Sequence, residues 1–214
     1  IRWQVSKNSR KKLFTGLGLS AIFNLAEYFV VIAGTLLLHG LVTYSLMLKG
    51  FTGLNPITFL RKMEDAIMFA FSTASSNATI PVTMETAKHR MGVENRVSSF
   101  TVPLGATVNM DGTAIMQGVA TAFIAQAFNI DLTMGDYLMV IMTATLASIG
   151  TAGVPGVGLV MLAMVLNQVG LPLEGIALIM GVDRLLDMIR TAVNITGDSA
   201  VTIIVAKSEG ALDE

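Results

Sequence analysis

Residues 183–198 read Asp183-Arg184-Leu185-Leu186-Asp187-Met188-Ile189-Arg190-Thr191-Ala192-Val193-Asn194-Ile195-Thr196-Gly197-Asp198, and this stretch decides the fold. Asp183, Asp187, Arg190, Asn194 and Asp198 fall at intervals of 4, 3, 4 and 4, which places them on one helical stripe with Thr191 beside it. The opposite positions are Leu, Ile, Val and Ala. An Asp or Arg at the centre of a bilayer costs about 2.5–3.5 kcal/mol on insertion scales. Such a stripe does not persist against lipid, so it faces protein, water or ligand. The plain alternative is an ion-pair network within the helix, Asp187 with Arg190.

The surrounding composition makes the bilayer the relevant solvent. The chain is 53% hydrophobic and 14% charged, against about 25% charged in soluble domains. Between Val97 and Pro172 the only charged residues are Asp111, Asp131 and Asp136. A run that long and apolar reads as several membrane segments rather than one buried core. The net charge of −1 gives no sign of a nucleic-acid partner, and the absence of cysteine removes disulfide and thiolate chemistry. The first residues, Ile1 onward, are polar and lack the apolar stretch of a signal peptide. The start is therefore expected to be a truncated or processed end.

Working along the chain, residues 1–16 form a basic flank with Arg10-Lys11-Lys12, suited to solvent or headgroups. Residues 17–48 are long enough for one tilted transmembrane helix, interrupted by Glu27 and His39. These two are either functional intramembrane groups or residues near an interface or packed protein. Residues 56–128 begin with two short arms, 56–72 and Ile80 to about Met91, around the polar tip Ser72-Thr73-Ala74-Ser75-Ser76-Asn77. Each arm is too short to span a bilayer, the pattern of a re-entrant hairpin. A helix at 97–128 follows, broken at Asn109-Met110-Asp111-Gly112-Thr113. Residues 133–206 repeat the plan: a hairpin with its tip at 148–158, then the polar-faced last helix from 175. Residues 207–214 are a C-terminal tail. The expected fold class is an all-α membrane protein, with transmembrane helices and two re-entrant helical hairpins in a repeat of hydropathy and breaks rather than of residues. Paired interrupted segments of this kind point to a transporter binding site.

Non-helical backbone survives in a bilayer only where it is buried in protein or lines a wet cavity. Unwound backbone offers carbonyls to a cation, and half-helix N-termini offer N–H groups to a carboxylate. Arg190, with a planar fork that matches a carboxylate, suits a substrate's side-chain carboxylate. Asp187, one turn back, suits an ammonium. Opposite charges on one stripe fit an acidic amino acid better than a plain dicarboxylate. Asp198 with Asn194, and Asp111 with Asn109, supply hard oxygens for a cation such as Na⁺. Neither set holds the His or Cys of a zinc site. No enzymatic cofactor is called for.

The motifs Asn109-Met110-Asp111-Gly112-Thr113, Ala147-Ser148-Ile149-Gly150-Thr151-Ala152-Gly153-Val154-Pro155-Gly156, and Asp187 through Asp198 closely resemble the glutamate transporter family, the dicarboxylate/amino acid:cation symporters. The resemblance covers about residues 20–210. It implies a multi-pass protein of the plasma (inner) membrane, an elevator-type transport domain built on an inverted repeat, and a homotrimer of the full-length protein. It implies sodium-coupled symport of aspartate or glutamate, with the second hairpin as gate. Carried over by motif, Asp183 helps orient Arg190. Ser76, Thr113, Val154, Gly158, Thr191 and Asn194 complete the substrate site around Asp187. One Na⁺ uses Asn194, Asp198 and carbonyls near Gly105 and Asn109. A second lies between Thr107 and the Ser148-Ile149-Thr151 segment, and a third uses Asn109 and Asp111.

Departures from the family pattern are informative. Many members carry an extra arginine where this chain has Ala74 or Met188, and Arg184 lies one turn from Met188. Gln117 stands where mammalian relatives carry a proton-accepting glutamate, which argues against that form of proton and potassium coupling. Asp187 argues against the C4-dicarboxylate branch. The family's first five membrane helices have no counterpart here. The resemblance puts Lys49, Arg61, Lys62, Lys88 and Arg90 on the cytoplasmic side. Arg10-Lys11-Lys12 would then lie outside, against the positive-inside tendency, so that segment reads as non-native or as cut from a longer chain. The alternatives weighed are a proton-coupled amino-acid or dicarboxylate symporter, a channel or structural subunit, and an intramembrane aspartyl protease using Asp111 and Asp198.

Overall fold

The computed structural model describes residues 19–213. The basic flank at 1–16 and the first residues of the 17–48 segment lie outside the described residues. Among the described residues the regular structure is helical, apart from one isolated antiparallel bridge between Val93 and Leu212.

The first rod is α1 (Leu19–Leu38), a π-turn (His39–Thr43) and α2 (Tyr44–Thr52) in unbroken succession. Its stretch Ile22–Thr52 has a mean hydropathy of 1.8 in its most apolar window and is long enough to cross a membrane. It continues four residues past the expected end at Leu48, and Gly53, at φ 74°, closes it by donating to the Lys49 carbonyl. Asn55 then caps α3 (Pro56–Lys62), its side chain accepting from the Ile57 N–H at 2.9 Å, with Pro56 at the first helical position. The arm expected as one helix over 56–72 is two. Met63 turns the chain (φ −82°, ψ −7°) and α4 (Glu64–Thr73) restarts with two carboxylates in its first turn.

Ala74 reverses direction in the left-handed region (φ 52°), and α5 (Ser76–Met91) returns. This arm begins at Ser76 rather than near Pro81, because the Ser75 hydroxyl caps it by accepting from the Ala78 N–H. Pro81 lies inside the helix without ending it. The helix expected over 97–128 with a break at 109–113 is α6 (Asn95–Val108) and α7 (Asp111–Ala127), separated only by Asn109 and Met110, both outside helical geometry; Asp111, Gly112 and Thr113 are already helical. The second hairpin is α8 (Met134–Ser148), opened by a Thr133–Asp136 capping box, and α9 (Val157–Gln168). A 3₁₀ turn at Leu173–Gly175 leads into α10 (Ile176–Ser208), 33 residues long and unbroken.

The last helix is the axis of the molecule, packed against α1, α2, α4, α5, α6, α7 and α9. The main core gathers Ile32, Leu36, Met116, Phe123, Leu162, Leu186 and their neighbours around it. The first arm of the second hairpin joins through a separate small cluster, Val140, Ala144 and Ala147 with Val165. Large apolar side chains also cover the outside, among them Phe23, Val30 and Leu38 on α1 and Leu138, Ile141 and Leu146 on α8. Contiguous apolar surface of this kind marks a membrane or partner face.

Candidate functional site

All five residues of the α10 stripe are buried: Asp183, Asp187, Arg190, Asn194 and Asp198 are each 5% exposed or less. The stripe therefore points inward, at the two hairpin tips and the break between α6 and α7. Ser76, Thr113, Val154, Gly158, Asp187, Arg190, Thr191 and Asn194 line one nearly closed cleft with a free volume of ≈ 10 Å³. Asp183 does not line it; it lies one turn back, with Oδ1 3.6 Å from Arg190 Nη1.

Opposite charges meet at the cleft. Arg190 Nη2 donates to Asp187 Oδ1 at 2.5 Å, the ion pair weighed from sequence as the plain alternative. The second oxygen of Asp187 accepts the Gly156 N–H at 2.8 Å. Gly156 is the N-cap of α9, so this carboxylate also occupies the positive end of the hairpin's second arm. Gly158 lets the guanidinium through: a Cβ there would stand 2.7 Å from Arg190 Nη2. The Thr191 hydroxyl donates to the Asp187 carbonyl at 2.8 Å, and the Thr113 hydroxyl faces Met110 Sδ at 3.8 Å.

The two hairpins meet over the cleft through one residue. The Gly153 carbonyl accepts both the Ser75 hydroxyl at 2.7 Å and the Asn77 N–H at 3.0 Å. Ala74 and Met110 also line the cleft, whereas Arg184 is exposed and does not line it. Glu27 is exposed on α1.

The candidate cation ligands form three groups. Asp198 receives Asn109 Nδ2 at 2.9 Å, and the same nitrogen donates to the Asn194 carbonyl at 3.3 Å. Gly105 approaches so closely that a Cβ would stand 2.7 Å from Asp198 Oδ1. A buried carboxylate with one amide donor and nearby backbone keeps lone pairs free for a hard cation. Asn194 Oδ1 accepts the Gly112 N–H at 2.9 Å, tying this group to the cleft. In the second group the Gly150 N–H donates to the Thr107 carbonyl at 2.7 Å, so the α6 end and the second hairpin touch. Around it the Thr107, Ser148 and Thr151 hydroxyls all turn to local carbonyls, while Ile149 is half exposed.

The third group joins His39, noted in the sequence, to a residue that the sequence reading missed, Tyr44. Asp111 Oδ2 accepts the Tyr44 hydroxyl and pairs with His39 Nε2 at 2.6 Å. His39 and Tyr44 are five residues apart, and the π-turn between them brings both onto one face. Tyr44 reaches inward over Gly197, where a Cβ would collide with its hydroxyl. The π-turn has no signature in the sequence, although an apolar rod carrying one His was the available signal. Asp111 and Asp198, weighed as a protease pair, hold different partners, and the protease reading is not favoured.

Comparison with known proteins shows what the chain is similar to. The excitatory amino acid transporter of Caenorhabditis elegans is 46% identical over 175 residues, 82% of this chain and 35% of that protein. Excitatory amino acid transporter 3 of Oryctolagus cuniculus is 44% identical over 183 residues, 86% of this chain and 35% of that protein. Excitatory amino acid transporter 5 of Homo sapiens is 43% identical over 182 residues, 85% of this chain and 32% of that protein. The chain thus spans about a third of the length of the curated relatives it matches. These relatives are named as transporters, not enzymes. The profile of the sodium:dicarboxylate symporter family matches residues 11–208, across the hairpins, the broken helix and the charged stripe alike, and the chain belongs to that family.

Proposed function

We propose that this chain is the substrate- and cation-binding part of a longer sodium-coupled symporter for an acidic amino acid, aspartate or glutamate. The observation that carries this reading is the buried Asp187–Arg190 pair in a cleft closed by two helical tips. Breaking a buried ion pair by removing one partner costs about 3–5 kcal/mol, because a charge is left uncompensated. An acidic amino acid avoids that cost. Its ammonium replaces the guanidinium at Asp187, and its side-chain carboxylate replaces Asp187 at Arg190. Asp183, behind Arg190, holds the guanidinium in place through the exchange. The hairpin backbone at Ser76, Val154 and Gly158, with Thr113, Thr191 and Asn194, completes the enclosure.

Na⁺ is the coupling ion in this proposal. It is held at Asp198 with Asn194 and the Gly105 and Asn109 carbonyls, at Asp111 with Asn109, and between Thr107 and Ser148, Ile149 and Thr151. Asn194 belongs to both the cation group and the cleft, which gives the two binding events a shared element and hence a route to reciprocal coupling. The hairpins are re-entrant. The second is the gate: its first arm is tied by a small apolar cluster, and its tip senses the substrate through Gly156 and Asp187. The whole unit moves as an elevator-type transport domain, in a homotrimer of the plasma (inner) membrane. Calorimetric titration of the full-length protein with L-aspartate tests this. Binding is expected with Na⁺ and not with choline in its place; binding indifferent to Na⁺ sinks the reading.

A further inference from the structure

A second cavity opens two residues beyond the end of the apolar rod, and the site above does not use it. Its volume is ≈ 390 Å³ and most of its wall is apolar, from Leu54, Phe59, Met91, Ile203 and Leu212. Lys62 and Asp213 stand at its rim, both exposed. Among the described residues no ion pair between Lys62 and Asp213 is formed. One positive and one negative charge thus border the same cavity, and neither neutralises the other.

The wall that carries Asp213 is built, not trailing. The Glu94 N–H donates to the Ala211 carbonyl at 3.0 Å and the Asp213 N–H to the Gly92 carbonyl at 2.9 Å. Ala211 and Val93 are buried beneath this strap. Gly92, at φ 73°, permits the crossing, since a Cβ there would stand 2.8 Å from the Asp213 carbonyl oxygen. Depth is set by the rod. If Ile22–Thr52 crosses the bilayer, its 31 residues, about 46 Å at 1.5 Å per residue, carry its end at Thr52 into the headgroup region. Phe51 and Ile57, three residues to either side of Leu54 in the chain, are 71% and 63% exposed and suit that depth.

We propose that this cavity binds one phospholipid whose headgroup carries a primary ammonium, its acyl chain among the apolar side chains, its phosphate at Lys62 and its ammonium at Asp213. The inference rests on the membrane reading but not on the substrate assignment, so the two fail separately. An anionic headgroup without an amine meets Lys62 but brings no cation to Asp213. A choline headgroup has no N–H to donate to the carboxylate. Only a headgroup with both a phosphate and a hydrogen-bonding cation satisfies both rim charges.

The test is native mass spectrometry of the full-length protein with phosphatidylethanolamine, phosphatidylcholine and phosphatidylglycerol of identical acyl chains. Phosphatidylethanolamine should be retained about fivefold better than either of the others, the size expected for one favourable charge contact at a membrane surface. Lys62→Ala should weaken its retention, Asp213→Asn should erase its advantage over phosphatidylcholine, and Ile203→Trp should fill the cavity and remove retention altogether. Equal retention of all three lipids by the unaltered protein overturns the proposal without any variant. A preference for phosphatidylglycerol overturns the Asp213 assignment, and an ethanolamine preference that survives Ile203→Trp in a normally helical protein overturns the location.

Discussion

Gly158→Ala should disable acidic-substrate binding while leaving the fold intact. The new Cβ would stand 2.7 Å from Arg190 Nη2, 2.9 Å from its Cζ and 3.0 Å from Met116 Cε. Ordinary carbon contacts begin near 3.5 Å, so the guanidinium must retreat by roughly 1 Å. All three obstructing atoms are at or near the free ends of flexible side chains, and the retreat strains no backbone. The hydrogen bond from Nη2 to Asp187, now 2.5 Å, does not survive such a movement. Hydrogen bonds to charged groups contribute about 1.5–3 kcal/mol, which corresponds to about a ten- to hundredfold loss of affinity if a substrate carboxylate docks on the same fork. Calorimetry with L-aspartate in Na⁺ measures it, with thermal unfolding as the control. A double-mutant cycle sharpens the result: in an Arg190→Ala background Gly158→Ala should have no further effect on affinity. Wild-type aspartate affinity in a folded Gly158→Ala protein, or an undiminished effect without Arg190, refutes the idea that this fork receives the carboxylate.

Other substitutions separate the remaining roles. Asp187→Asn keeps an oxygen for the Gly156 N–H but removes the charge; binding of acidic and neutral amino acids alike should fall by roughly a hundred- to a few thousandfold, the equivalent of about 3–5 kcal/mol for a broken buried charge pair, and calorimetry would reveal any spared class. Asp198→Asn should raise the Na⁺ concentration needed for half-maximal aspartate binding about tenfold, read from titrations at varied Na⁺; an unchanged requirement removes Asp198 from the cation site. Gly112→Ala places a Cβ 2.7 Å from Asn194 Oδ1 and 3.1 Å from the Arg190 carbonyl. Because backbone cannot retreat like a side-chain tip, this variant should lose about 1–3 kcal/mol of stability, visible as a lower Tm.

The legible parts of this chain are those where polarity interrupts apolar sequence. Asn109, Asp111 and Gly112 mark the region of the break, because polar residues and a glycine interrupt an apolar run there; the residues that leave helical geometry are Asn109 and the apolar Met110, which residue type alone does not single out. The α10 stripe was readable because helical periodicity alone puts Asp187 and Arg190 on one face. What stayed hidden depends on contacts far apart in sequence or on backbone alone. Nothing near Asp111 indicates Tyr44, 67 residues away, since the encounter depends on a π-turn in an otherwise uniform apolar helix. The Gly156 N–H on Asp187 is a main-chain donor, invisible in residue types. The break at Met63 and the early start of α5 at Ser76 were misplaced for a local reason: a buried Met carries no turn signal, and Pro81 is a more conspicuous mark than the Ser75 cap that sets the boundary.

The seam between the hairpin tips rests on the single oxygen of Gly153, with the Gly156–Asp187 contact beside it. Three hydrogen bonds of about 0.5–1.5 kcal/mol net each give a total that thermal energy overcomes often. The parted arrangement should hold between about one molecule in ten and one in a thousand, the range typical of minor conformers. No helix need unwind for the tips to part, so small shifts in what fills the cleft suffice to change how often a passing solute finds it accessible.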